Sequence, residues 1–112
     1  MLPEDAKTRK SFPVFEGWFN YFPSAHLLAS HISWLGQQQH GPDQPLQWNR
    51  EKSPDQLDAC IRHLIEARNE SDPKARAKLY AQAFWRLGAQ TQVAIEAAGG
   101  LVAMFPGEGG DK

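Results

Sequence analysis

At 112 residues, with 41% hydrophobic residues, 22% charged residues and a net charge of −1, the chain is sized for one domain with one core and is too short for two ordinary ones. The near-neutral balance supplies no segregated basic footprint, so general DNA or RNA binding is disfavoured. A single cysteine, Cys60, excludes an internal disulfide and a cysteine-based zinc cluster and fits a reducing cytoplasm; the opening MLPEDAKTRK lacks the apolar core of a signal peptide, and no run reaches the length of a membrane span.

Residues 1–11 are polar and charged without period and read as an arm, whose Arg9 and Lys10 are the local cations able to reach a phosphate. From Phe12 the composition changes. The run FPVFEGWFNYF places six of the twelve aromatic residues in eleven positions, interrupted by Pro13 and Gly17, so it is expected to brace the helices or a second subunit, with base stacking as its sharper use. Pro23 suits a first helical turn, and Ala25, Leu28, Ala29, Ile32 and Leu35 follow at helical spacing until Gly36, where the first helix is predicted to stop. His26, Ser30 and Ser33 take its other side, with His31 on a flank. The two histidines are five apart, poorly placed to share a metal, and read as solvent-facing.

Residues 37–52, with Gly41, Pro42 and Pro45, show no sustained period and read as a structured loop, a kind of segment that is often functional. Ser53-Pro54-Asp55-Gln56 reads as a capping box with proline at the first helical position. The second helix is predicted to start there. Leu57, Cys60, Ile61, Leu64 and Ile65 form its expected core face, and Asp55, Asp58, Arg62, Glu66 and Asn69 a polar one. Ser71-Asp72-Pro73 repeats the cap-then-proline signal, and the third helix is predicted to run to Gly99-Gly100, about 24 residues.

That helix carries two apolar stripes, Tyr80, Phe84, Leu87, Thr91 and Ala94 beside Ala81, Trp85, Gly88 and Ile95, and two stripes need two packing partners. A homo-oligomer through the third helix, most simply a homo-dimer, is therefore expected. Residues 101–105, LVAMF, form an apolar patch ahead of a glycine-rich end. The expected organisation is all-α: an arm at 1–11, a single helical domain at 12–98 in which three principal helices form a bundle with the aromatic segment packed across them, and a tail at 99–112.

The side chains able to hold an anion, a metal or a base concentrate between Gly36 and Leu64. Asp55 and Asp58, three apart, would lie side by side on a helix and offer two oxygens to a hard cation such as magnesium. Equally, carboxylates in a first turn are favoured by the helix dipole, and Asp58 to Arg62 is an ordinary i, i+4 ion pair. Trp48 flanked by Arg50 and Lys52 combines a flat ring with two cations, as a nucleotide requires, and a loop tryptophan pinned to the core has the same sequence. His63 points some 100° away from Arg62. It suits a loop cap, a phosphate contact or a core position.

The run from Tyr21-Phe22-Pro23 through Gln39-His40, Pro45-Leu46-Gln47-Trp48, Glu51-Lys52-Ser53 and Asp58, to Arg62-His63-Leu64 and later Trp85-Arg86, resembles a phage and prophage family known as the dATP/dGTP diphosphohydrolase N-terminal domain. The likeness covers most of residues 9–92, above all a W-x-x-x-K-S-x-D-x-x-D-A-x-x-R-H-L core. Members look like distant relatives of the all-α nucleoside triphosphate pyrophosphohydrolases of MazG type. The resemblance implies a magnesium-dependent enzyme that releases pyrophosphate from dATP or dGTP, in the host cytoplasm if phage-encoded.

Carried over position by position, the likeness makes Asp55 and Asp58 the metal ligands, His63 and Arg62 the catalytic pair, and His40, Trp48, Arg50 and Lys52 the nucleotide-binding residues. Two departures stand out: Leu79 occupies a position where the family commonly has histidine, and the first helix holds no acid to face the second. The competing expectation is a non-catalytic phage protein that binds a nucleotide or docks on a host protein.

Overall fold

The computed structural model describes residues 2–52 and 54–105, and among them the chain is all helical, with no strand. No helix among the described residues is long and apolar enough to cross a membrane. The chain divides into two units, residues 24–90 and residues 1–23 with 91–112.

In the first of these, helix α2 (Pro23–His40) supplies one wall, and α3 (Gln56–Asn69) and α4 (Pro73–Ala97) form a hairpin. The hairpin follows from a three-residue link: Asp72 caps α4 by accepting from the Ala75 backbone N–H at 2.9 Å, and Pro73 takes the first helical position, where its missing N–H costs nothing. The far ends are joined where Arg86 Nη1 donates to Gln56 Oε1 at 3.0 Å. Helix α2 packs against α4, His26 lying beside Phe84 (centroids 5.8 Å apart) and Ser33 accepting the indole N–H of Trp85 at 2.5 Å.

Two predicted boundaries are corrected. α2 does not stop at Gly36 but continues one more turn to His40. A mid-helix glycine costs only about 1 kcal/mol relative to alanine, and Gln37, Gln38 and Gln39 are adequate helix formers. Gly41 ends it. At α3 the helix begins at Gln56, with Asp55 as the preceding residue making no side-chain cap bond. Ser53, the expected cap, lies outside the described residues.

The core is the larger correction. The packed residues are Ala59, Cys60, Ala67, Ala81, Ala83 and Ala89, and among the described residues no large side chain is fully buried. Of the expected core face of α3, Cys60 is buried, but Leu57, Ile61, Leu64 and Ile65 are 43–56% exposed, and Tyr80 and Leu87 of the α4 stripe are each 50% exposed. On α3 the packed side is instead Gln56, Ala59, Cys60, His63 and Ala67, rotated by roughly 100° from the leucine stripe. Small side chains let helices approach closely, and that seam sets the rotation. His26 is likewise half-buried against Phe84 rather than solvent-facing, while His31 is exposed and stacks on Trp34.

In the other unit, the stretch read as an arm contains a one-turn helix, α1 (Ala6–Arg9), whose Asp5 carboxylate accepts from the backbone N–H and the hydroxyl of buried Thr8, both at 2.9 Å. The aromatic segment forms a single π-helical turn, Phe15–Phe19. Its rings associate with one another, Trp18 edge-on to Phe22 at 5.0 Å and Phe15 stacked on Phe19 at 6.2 Å. After α4, Gly99 and Gly100 adopt φ of +105° and +96°, a reversal that glycine makes without a Cβ penalty. The apolar 101–105 patch then forms a 3-10 turn, Leu101–Met104, and Phe105 meets Phe12 edge-on at 5.3 Å. Residues 106–112 of the expected tail lie outside the described residues.

Candidate functional site

The site is built where α3 begins, against the middle of α4. The loop leading to it is tied to the end of α2 by Gln37, whose side-chain amide donates to the Gly41 carbonyl and accepts from the Gln47 backbone N–H at 3.2 Å. Trp48 follows directly. Its ring meets Trp85 edge-on at 6.0 Å, and the Arg50 guanidinium lies over its face, 4.2 Å from the centroid. The indole N–H of Trp48 is enclosed and meets no acceptor among the described residues. Trp48 is thus an anchor of the loop, held by an aromatic edge and a cation.

Arg86 extends the array from α4. Its guanidinium lies 5.8 Å from the Trp85 ring, and its partner Gln56 is buried. Arg86 also acts on Asp55: the hydrogen bond from Arg62 at 3.2 Å is the main cause that holds the Asp55 carboxyl below its ordinary value of 3.8, with smaller contributions from the backbone and from the charges of Arg62 and Arg86. The Asp55–Arg62 pair is open to solvent, at 51% and 62% exposure. Two guanidiniums, Arg62 and Arg86, therefore act on the Asp55 carboxylate at the α3 entrance, where Asp58 also stands in the first turn.

Of the predicted metal pair, Asp55 is the residue capping α3, with φ −100° and ψ 39°, its carbonyl accepting the Ala59 N–H at 2.9 Å. The carboxylate of Asp55 is engaged by Arg62, which was expected to pair with Asp58. Asp58 sits in the first turn, exposed. Among the described residues no group of three or more histidines, cysteines or acids converges on one point. Of the two carboxylates, Asp55 has Oδ2 on Arg62 at 3.2 Å, and Asp58 is exposed.

The remaining predicted residues are dispersed. His63 lies on the packed side of α3 with Nδ1 3.1 Å from Glu66 Oε1, and His40 ends α2, exposed. Lys52 falls in a 3-10 turn, Arg50–Lys52; its side chain lies outside the described part of the chain. Trp85, Arg86 and Gln56 were not among the predicted site residues. A signal for Arg86 was present, because it is the only charge between Lys78 and Glu96, and a lone arginine in an apolar helix calls for a specific partner. No protein-family model, curated protein or solved structure matches the chain.

Proposed function

We propose that this protein binds a phosphate-bearing nucleotide at the α3 entrance, with Arg62, Arg86 and Arg50 around the phosphates. The observation that carries this reading is the grouping of guanidiniums with rings: Arg62 and Arg86 both act on the exposed Asp55 carboxylate, and Arg50 and Arg86 lie against Trp48 and Trp85, an arrangement suited to a polyanion attached to a flat base. A base stacking on Trp48 would exchange places with the Arg50 guanidinium, releasing it toward phosphate.

The likeness of the Trp48 to Leu64 segment to the diphosphohydrolase core narrows the nucleotide to a purine deoxynucleoside triphosphate. It also supplies a second reading, a magnesium-dependent hydrolase releasing pyrophosphate, favoured by the exposed carboxylate of Asp58 one turn from Arg62. Magnesium commonly binds through one or two carboxylates together with substrate phosphates. In either case two copies associate, and a cytoplasmic setting suits the buried thiol of Cys60.

Thermal denaturation with dATP, dGTP and their ribo- and pyrimidine counterparts tests binding: a ligand at a hundred times its dissociation constant adds about 2.7 kcal/mol. Absence of any shift, with Arg62→Ala and Arg86→Ala equally unresponsive, removes the reading. Pyrophosphate release with magnesium, abolished in Asp58→Asn without loss of helicity, selects the hydrolase; stable binding without turnover selects the binding protein.

A further inference from the structure

The carboxylate of Asp55 is engaged by a guanidinium rather than by the helix it introduces. As the residue ahead of α3 it makes no side-chain capping bond, although a carboxylate in that position ordinarily accepts from an N–H of the first turn. Its Oδ2 instead accepts from Arg62 Nη2 at 3.2 Å, seven residues further along the chain. Arg62 reaches this carboxylate and not Asp58, its neighbour four residues back on α3. The charge of Arg86 bears on the same group from α4. An anion of the chain itself thus already occupies the place where guanidiniums from two helices act together.

We propose that Asp55 is an internal competitor for Arg62: its carboxylate holds the guanidinium while no ligand is bound, and a phosphate oxygen of the nucleotide must displace it. The inference rests on the proposed function and adds the residue that sets how readily that site fills. In this role Asp55 opposes binding, whereas as a magnesium ligand it would promote it. The two roles therefore predict opposite signs for its removal.

The contact has the properties of one that yields. It is a single hydrogen bond rather than a two-point clamp, and both partners stand in solvent, where ion pairs are held weakly. A phosphate group brings more charge and can present two oxygens to the same planar fork, the geometry in which arginine binds anions best. A singly charged anion held at one point offers Arg62 nothing that Asp55 does not already supply. The exchange therefore sets a threshold, which a phosphate passes and a weak anion does not. Asp55 also orders Arg62 before the ligand arrives, and removing it costs that ordering. One exposed hydrogen bond orders a long side chain little, so release of the guanidinium outweighs it.

Calorimetric titration of the full chain with dATP and, separately, with inorganic pyrophosphate tests the exchange, both with a chelator present so that no metal bridges Asp55 to the ligand. Asp55→Asn keeps the size of the side chain and the backbone carbonyl that accepts the Ala59 N–H at 2.9 Å, so its far-UV circular dichroism is expected to match wild type. It is expected to bind both probes about two- to fivefold more tightly, the scale of an exposed ion pair, and Asp55→Ser, also uncharged, is expected to do the same. In an Arg62→Ala background most of that gain is expected to vanish, because no guanidinium remains there to be released. An equal gain in both backgrounds reduces Asp55 to a nearby charge and overturns the inference. Weaker binding by Asp55→Asn and Asp55→Ser makes it a positioning residue and overturns the inference as well. In both of these cases wild type still binds, and the proposed function stands. If wild type and all variants bind neither probe, the inference and the proposed function fall together.

Discussion

The Arg50 guanidinium rests 4.2 Å from the centre of the Trp48 ring, so a loop cation and a loop aromatic residue hold each other in place at the mouth of the candidate site. Arg50→Ala is expected to cost about 0.5–1 kcal/mol of stability, the usual worth of such a contact at an exposed position, and to weaken nucleotide binding about tenfold. Urea denaturation and calorimetric titration measure the two. Stability loss without any change in binding would restrict Arg50 to the structural part.

The Trp85 to Ser33 hydrogen bond joins α4 to α2 across 52 residues of sequence. Ser33→Ala leaves the indole N–H facing no hydroxyl and is expected to cost about 1 kcal/mol. Trp85→Phe removes donor and ring area together and should cost more. A double-mutant cycle of the two, read by urea midpoints, isolates the bond as a coupling of about 1 kcal/mol.

Asp55 sets an acid limit. Its folded carboxyl titrates below its ordinary value of 3.8, chiefly through the hydrogen bond from Arg62. A depressed acid contributes stability that is fully present above the unfolded value and is lost as pH falls through the folded one. Raising the pH above the unfolded value adds nothing from this pair. The stability of the wild type should therefore fall more steeply below about pH 4 than that of Asp55→Asn, by a small amount because the pair is solvated. Equal slopes in acid titrations monitored by circular dichroism would show the pair to be without effect.

The glycines divide by backbone. A Cβ at Gly36 or Gly88 meets nothing within 4 Å, and both lie inside helices, so Gly36→Ala and Gly88→Ala are expected to raise stability by about 0.5–1 kcal/mol each. At Gly99 the φ of +105° is compounded by the Ala103 Cβ at 3.1 Å. Gly99→Ala should lower stability by about 1–2 kcal/mol. Melting temperatures of the single variants check the signs.

The helices were legible where local chemistry decides them. Pro23, Asp72-Pro73 and Gly99-Gly100 punctuate the chain through fixed φ, a side-chain cap and positive φ, all of which act within a few residues. Helix rotation was not legible. Hydrophobic spacing assigns the leucine ridge of α3 to the interior, yet Ala59, Cys60 and Ala67 pack there, because close approach of backbones is a property of two helices together and leaves little trace in either alone. Trp48 and Arg50 were legible as neighbours because they stand two residues apart in one loop, where they pack on each other. The contact of Arg86 with Gln56 was not legible because it joins residues thirty apart.

The bond from the Gln47 backbone to the Gln37 side chain makes the loop a dependent of the helix before it. A loop held only by its own turns would open on its own timescale, whereas here the Gln47 amide loses its acceptor whenever the last turn of α2 frays. Its hydrogen exchange should keep pace with the amides of that turn rather than with those of the intervening loop, and lengthening the loop by one residue should release both together. Helix fraying, usually a harmless event at a chain's periphery, then becomes the clock by which the approach to Trp48 and Arg50 loosens.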